Sequence, residues 1–368
     1  MKKRCLVKKA MKKAVTMFKK EKCKEITVAF IIGSGYGDHL IFANYLWHLK
    51  KTFSEIRFIF DVYFSAGFGL ARTIFEEGDF VRHLFKAPES FKSEEYDCVF
   101  WFCRYPKVEY CNRKKVKSTF PDFYGYIKDC ERFYSENHLL FDNSPYLDGY
   151  SALICISNST IRLQQPDFDG RLRIGKDFKY PIPLSKNSFE FFKNNHIGKK
   201  FITIHRGNDT TFEGDAVKLW PLKFYNELVI LLKQKYPEYL IVHLGVSRDR
   251  CPVINGVDVD VVGKTTMEDV KLLLKFSSLH IDSEGGFVHL RENLSGGQSV
   301  VLFGPTDPRF YAYEGNINIK GDGCDIPCEW IKKDWMIHCC KGYSVPPCMT
   351  SITPEAVMRR IVSEWKSK

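Results

Sequence analysis

Short apolar runs, each uninterrupted and each followed by a polar or helix-period stretch, constrain this chain most. Residues 26–33 (ITVAFIIG), 56–64 (IRFIFDVYF) and 96–103 (YDCVFWFC) lack the in-and-out alternation of a half-exposed strand. They predict parallel strands buried on both faces. Helical spacing follows the first run from His39 to Lys50. Residues 104–150, rich in aromatics and lysine, show no clean period and predict irregular structure with short helices. Around 178–200, Pro181, Pro183, Lys186, Asn187, Asn194, Asn195 and Gly198 make a linker-like stretch. The pattern then restarts. Strands are predicted at 200–206 (KFITIHR), 239–244 (YLIVHL), 256–263, 278–282 and 299–304 (SVVLFG), with helices at 222–235 and 286–295. Thr265/Thr266 followed by Glu268 and Asp269 mark a further helix start. A chain of 368 residues is comfortable for two domains. The prediction is α/β: two Rossmann-like doubly wound domains facing a central cleft, at 26–185 and 186–353, after a basic helix at 1–25.

Charge separates that helix from the body. Residues 1–25 carry eleven Lys/Arg against Glu21 and Glu25, which accounts for +9 of the net +11. The nearly neutral remainder has no excess to build a basic face, so nucleic acid is not an expected partner. Leu6, Val7, Ala10, Met11, Ala14, Val15 and Phe18 recur at helical spacing between the lysines. Such a helix either lies on an anionic membrane surface or packs as a solubilising helix on its own domain. No apolar core follows the basic start, so it does not read as a secretory signal. No run is long enough to span a membrane.

Four motifs carry chemistry. Gly33-Ser34-Gly35-Tyr36-Gly37-Asp38 follows the first strand. Its spacing is not that of a dinucleotide fingerprint, although Asp61 lies further on at roughly the right interval. A carboxylate at the sixth position would face the pyrophosphate, which disfavours a dehydrogenase. Asp38 is either a helix cap or a general base projecting into the cleft, with Gly35 and Gly37 keeping the loop open. Ile281 to Leu290 (IDSEGGFVHL) runs from a strand into a helix through Gly285-Gly286. Its backbone N–H groups suit a diphosphate; Glu284 suits sugar hydroxyls, and His289 lies one turn inside. The bland reading is a tight turn with a packed histidine. Lys218 before Trp220-Pro221, and Arg206 in His205-Arg206-Gly207-Asn208, are candidate phosphate clamps. Val300 to Thr306 (VVLFGPT) is a buried strand ending at the carboxyl edge of the second sheet.

Together these motifs resemble glycosyltransferase family 9, the ADP-heptose:lipopolysaccharide heptosyltransferases, over most of residues 26–366. The family's Gly-Asp base matches Gly37-Asp38, and its donor-contacting lysine before Trp-Pro matches Lys218. Its acid-[Ser/Thr]-Gly-x-x-His loop aligns with Glu284 to His289, and its Leu-Phe-Gly-Pro-Thr strand end with Leu302 to Thr306. Glu284 replaces the usual Asp, Gly285 the usual Ser/Thr, and Arg206 the usual Pro. The resemblance implies a GT-B fold with an acceptor-binding first domain, a donor-binding second domain, and a C-terminal helix (354–368) returning to the first domain. It implies an inverting transferase that needs no cofactor for catalysis. The donor would be a nucleotide-diphospho-sugar and the acceptor a glycan or glycolipid. The site would be cytoplasmic, peripheral on the inner face of the inner membrane. Alternatives are a non-hydrolysing nucleotide-sugar epimerase on the same fold and an inactive membrane-associated scaffold.

Of thirteen cysteines, Cys324, Cys328, Cys339, Cys340 and Cys348 fall within 25 residues. They read as a structural zinc or iron site (Cys324, Cys328, Cys339, Cys348), as packed thiols, or as disulfides. Family members carry a similar stretch ending in Cys-Met, matching Cys348-Met349, and some hold iron there. The other cysteines read as small buried hydrophobes.

Overall fold

The computed structural model describes residues 24–33, 35–75, 80–87, 91–143, 147–184, 189–194, 197, 200–206, 217–245, 251–331, 335 and 338–366. The basic helix expected at 1–25 therefore lies outside the described residues up to 23. Its last two residues correct that expectation, because Lys24 and Glu25 open the first strand.

The first domain runs β1 (Lys24–Ile32), α1 (Tyr36–Thr52), β2 (Ile56–Phe64), α2 (Phe68–Ala71), β3 (His83–Lys86), β4 (Cys98–Phe102), β5 (Pro106–Cys111), α3 (Arg113–Thr119), α4 (Pro121–Asp142) and α5 (Asp148–Ser157). Its sheet has the order β3-β2-β1-β4-β5, parallel except for β5. The uninterrupted apolar runs are the central strands. Ile26, Val28, Ala29, Phe30 and Ile32 of β1 are fully buried. Phe30 stacks on Phe100 of β4 at 5.2 Å and meets Phe42 and Tyr45 of α1 edge-on. Residues 104–150 are more regular than expected. They hold the antiparallel edge strand β5 and the 22-residue α4, whose buried stripe is Phe123, Tyr126, Ile127 and Cys130.

The second domain runs α6 (Phe189–Asn194), β6 (Phe201–His205), α7 (Leu222–Lys235), β7 (Leu240–Leu244), β8 (Val259–Asp260), α8 (Met267–Phe276), β9 (Leu279–Ser283), α9 (Gly286–Asn293), β10 (Ser299–Phe303), α10 (Pro308–Tyr311), β11 (Ile317–Lys320), α11 (Pro347–Thr350) and α12 (Pro354–Glu364). Its all-parallel sheet has the order β8-β7-β6-β9-β10-β11. α8 starts where Thr265/Thr266 predicted a helix start, and Thr266 and Asp269 form a capping box there. Strand order reverses between β1 and β4 in one sheet and between β6 and β9 in the other. Ligands of doubly wound sheets bind outside the carboxyl ends of the strands at such points.

Among the described residues, two groups of elements pack across the domains. α1 packs on α9, and α5 packs on α10 and on the 3-10 turn Cys328–Trp330. At the second contact a Cβ on Gly149 would lie 1.6 Å from the Glu329 carbonyl oxygen, so only glycine fits. The expectation that the last helix returns to the first domain is corrected. α12 packs on α7 and β11, because its apolar face (Val357, Met358, Ile361) completes the core of the second domain. Among the described residues, no helix is long and apolar enough to cross a membrane.

Candidate active site

The site is built where two helix N-termini meet. α1 begins at Gly35, whose carbonyl accepts from the Asp38 and His39 amides at 3.1 and 3.2 Å. α9 begins at Gly285. A Cβ on Gly37 would lie 2.6 Å from His289 Cδ2, and one on Gly286 would lie 3.3 Å from Tyr36 Cβ. The glycines of the two motifs are thus the residues that let the two ends approach. Both ends carry partial positive charge, which makes their junction a place for anions.

Asp38, in the first turn of α1, makes no side-chain cap. Its Oδ1 accepts from Arg104 Nη1 at 2.5 Å and from Arg162 Nη2 at 2.6 Å. Burial alone would raise this carboxyl, but the two guanidiniums outweigh it and hold it well below the usual carboxylate range. Among the described residues, Oδ2 has no hydrogen-bond partner. Arg104 also donates to Asp148 through Nε at 2.8 Å, and Arg162 to Gln165 at 2.6 Å. The Arg162 amide donates to the Phe310 carbonyl of the second domain at 2.8 Å, so the ion-pair network spans the junction.

On the opposite side, Glu284 Oε2 accepts from Lys218 Nζ at 2.5 Å and from Thr306 Oγ1 at 3.2 Å. Three residues singled out in the sequence therefore form one cluster. Lys218 also lies over the Trp335 ring, 5.6 Å from its centroid. His289 is buried, with Nδ1 2.5 Å from Tyr313 Oη. Burial lowers its pKa to about 4, which leaves it neutral at ordinary pH. Arg206 stands apart from the cluster, and its Nε donates to the Trp220 carbonyl at 3.3 Å.

The cysteine-rich segment departs from expectation. Among the described residues, no group of three or more His, Cys, Asp or Glu is arranged to hold a metal ion, and no described cysteine is in a disulfide. Among the described residues, the expected four-thiolate set Cys324, Cys328, Cys339 and Cys348 is not gathered around one point. The near neighbour of Cys328 is Cys340, with the sulfurs 3.0 Å apart. Burial pushes the thiols of Cys328 and Cys348 up, to about 12 and about 11. The same segment supplies Glu329, a residue the motifs did not mark. Its Oε1 accepts from the Asp307 amide at 2.9 Å and its Oε2 from Tyr311 Oη at 3.1 Å.

Arg104, Arg162 and Asp148 were also missed. Arg104 had a usable signal, since it directly follows the run YDCVFWFC and so stands at the carboxyl end of a central strand. Arg162, 124 residues from its partner Asp38, had none.

No protein-family model matches the chain, and no curated protein matches it by sequence. Solved structures do match. One is a glycosyl transferase family 9 protein from Veillonella parvula, with TM-score 0.61 and 13% identity over 93% of this chain and 98% of that one. Another is ADP-heptose lipopolysaccharide heptosyltransferase II of E. coli, with TM-score 0.55 and 14% identity over 92% of this chain and 98% of that one. A third is TibC, an iron-containing dodecameric glycosyltransferase of enterotoxigenic E. coli, with TM-score 0.58 and 11% identity over 92% and 76%. At these identities the likeness is one of fold, the GT-B arrangement of two Rossmann-like domains. It falls on the same family that the sequence motifs resemble.

Proposed function

We propose that the chain is an inverting glycosyltransferase that moves a sugar, heptose from ADP-heptose, onto a hydroxyl of a lipopolysaccharide or other cell-surface glycan. The observation that supports this is the placement of Asp38 across the helix-end junction from Lys218, Glu284 and Thr306. Both arginines bond Asp38 Oδ1, which leaves Oδ2 for the acceptor hydroxyl. The acceptor oxygen attacks the anomeric carbon as the bond from that carbon to the diphosphate breaks, and its proton passes to Oδ2. A carboxylate weakened by two guanidiniums is a poor base early in the reaction. It suits a proton released late, from an acceptor oxygen already bonding to an oxocarbenium-like carbon. The amides of Gly285 and Gly286, with Lys218, stabilise the charge growing on the departing diphosphate, and Arg206, just after β6, would have to leave the Trp220 carbonyl to join them. Glu284 and Thr306 position Lys218 for that contact.

The test is a panel of ADP-, GDP-, UDP- and dTDP-sugars. One should raise the melting temperature, and with an acceptor it should yield the free nucleoside diphosphate and a product of inverted anomeric configuration. No stabilisation and no nucleotide release across the panel would overturn the assignment.

The proposal extends to residues 2–22, whose lysines would hold the protein on an anionic membrane, on the inner face of the inner membrane. Deleting them should abolish sedimentation with vesicles containing acidic lipid, and added salt should weaken binding of the full chain. Equal binding by the truncated chain would show the segment to be a solubilising helix.

A further inference from the structure

The interior of the second sheet holds a polar chain that the reaction above does not use. Thr203 and His205 of β6 lie beside His280 and Asp282 of β9, and all four are buried. His205 Nδ1 is 2.9 Å from Asp282 Oδ2, and His280 Nε2 is 3.4 Å from the same oxygen. His280 Nδ1 is 3.0 Å from Thr203 Oγ1, which donates to Ser277 Oγ at 3.1 Å. Asp282 Oδ1 accepts from the Ser283 amide at 2.8 Å.

Two facts separate this chain from ordinary packing. Asp282 is 2% exposed, and among the described residues the side chains that pair with it are both histidines. Burial by itself would raise its carboxyl, yet these neighbours hold it below its ordinary value. A buried carboxylate needs a compensating positive charge. Burial pushes His280 down, toward the neutral form, and His205 is the nearer of the two rings to the carboxylate, at 2.9 Å. The second fact is position. His205 ends β6 at the strand-order reversal, and its ring packs on Phe287 at 4.6 Å, in the first turn of α9 beside Gly285-Gly286. With Nδ1 bound to Asp282, among the described residues Nε2 has no partner.

We infer that His205, braced and charge-balanced by Asp282, presents Nε2–H to the diphosphate of the donor as an additional anion contact. This inference rests on the donor reading above. The neighbouring groups are His280 and Asp282 on β9, Tyr225 of α7 donating to the His205 carbonyl at 3.1 Å, Arg206, and Cys251 donating to the Arg206 carbonyl at 2.8 Å. His280 is the other imidazole here, and burial pushes it toward its neutral form.

The experiment is calorimetric titration of the full chain with ADP, and with GDP and UDP, between pH 5.5 and 8. Affinity of the unmodified protein should fall about tenfold or more as pH rises, the scale of one charged hydrogen bond lost. The terminal phosphate of the nucleotide gains charge over the same range, which alone would give the opposite slope. His205→Gln should bind about tenfold more weakly at pH 5.5 and lose the slope. Asp282→Asn keeps an acceptor for Nδ1 but removes the charge, so its fall should come at lower pH. A His205→Gln protein with unchanged affinity and slope would overturn the inference and leave the donor reading intact. If that variant does not fold, a flat or rising affinity of the unmodified protein with pH overturns it instead. Failure to bind any of the three nucleotides at any pH overturns both.

Discussion

Asp38 sits in a position where removing one charge separates chemistry from folding. Asp38→Asn keeps the shape and one acceptor oxygen for Arg104 and Arg162, and Arg104 retains Asp148. Donor affinity should therefore stay close to that of the unmodified protein, while transfer falls by roughly 2–4 orders of magnitude, the scale of a positioned base. Near-normal kcat in the Asn variant would remove Asp38 from the reaction. The depressed Asp38 pKa has a sign as well. Its folded value lies below its unfolded value, so its contribution to stability is present above the ordinary carboxylate range and is lost only in strong acid. No loss of activity from this group is expected between pH 5 and 8. Lys218→Ala differs in kind. It removes a cation that would meet the diphosphate in both ground and transition states, and among the described residues it leaves the Glu284 carboxylate with Thr306. Nucleotide Kd should rise and kcat should fall together. If both stay unchanged in titrations and initial-rate assays, Lys218 is only the partner of Glu284.

At the scale of elements, the junction of α1 and α9 depends on two residues without side chains. Gly37→Ala would place a methyl 2.6 Å from His289 Cδ2, and His289 cannot swing freely because Tyr313 holds its Nδ1 at 2.5 Å. Either α1 moves off α9 or that hydrogen bond breaks. Overpacking of this kind costs about 1–3 kcal/mol, and chemical denaturation should show a loss on that scale together with reduced transfer. A variant as stable and active as the parent would mean that the helix ends are not closely apposed. Gly37 and Gly286 were legible because a glycine between an apolar strand and a helix has few other uses. The same holds for β1, β2, β4, β6, β7, β9 and β10, whose apolar runs are central strands. β5 and β11 escaped notice because edge strands alternate weakly: PKVEYC and INIK offer few consecutive apolar residues. α4 escaped for a different reason. Its buried residues keep the i, i+3, i+4, i+7 spacing, but over only two turns of a helix whose remaining surface is charged residues and half-buried aromatics. The arginines around Asp38 lie 66 and 124 residues from it, so they meet it only through the fold.

For the whole molecule, the second contact between domains converges on Glu329. Its backbone packs against Gly149 of α5, while its carboxyl accepts from Asp307 and Tyr311 of the second domain. Burial pushes this carboxyl up from 4.5 to about 8. The folded protein therefore holds a proton here that the unfolded chain releases above the ordinary glutamate range. The stability tied to that proton is fully present below about pH 4.5 and is lost progressively as pH rises toward 8. The loss cannot exceed about 1.4 kcal/mol per pH unit for one group. Glu329→Gln keeps an acceptor for the Asp307 amide and has nothing to titrate. Its melting temperature should match the parent near pH 5 and exceed it at pH 8 by a few degrees, since the shift per kcal/mol, about 2–4 °C for 150–250 residues, is smaller for a longer chain. The same comparison should be repeated with a bound nucleoside diphosphate, which by mass action raises both melting temperatures. The difference between the two proteins should persist if Glu329 acts only through the domain contact. A glutamine variant that is less stable than the parent at both pH values, with a parallel pH profile, would mean that the carboxyl is ionised in the folded state and stabilised by its two donors.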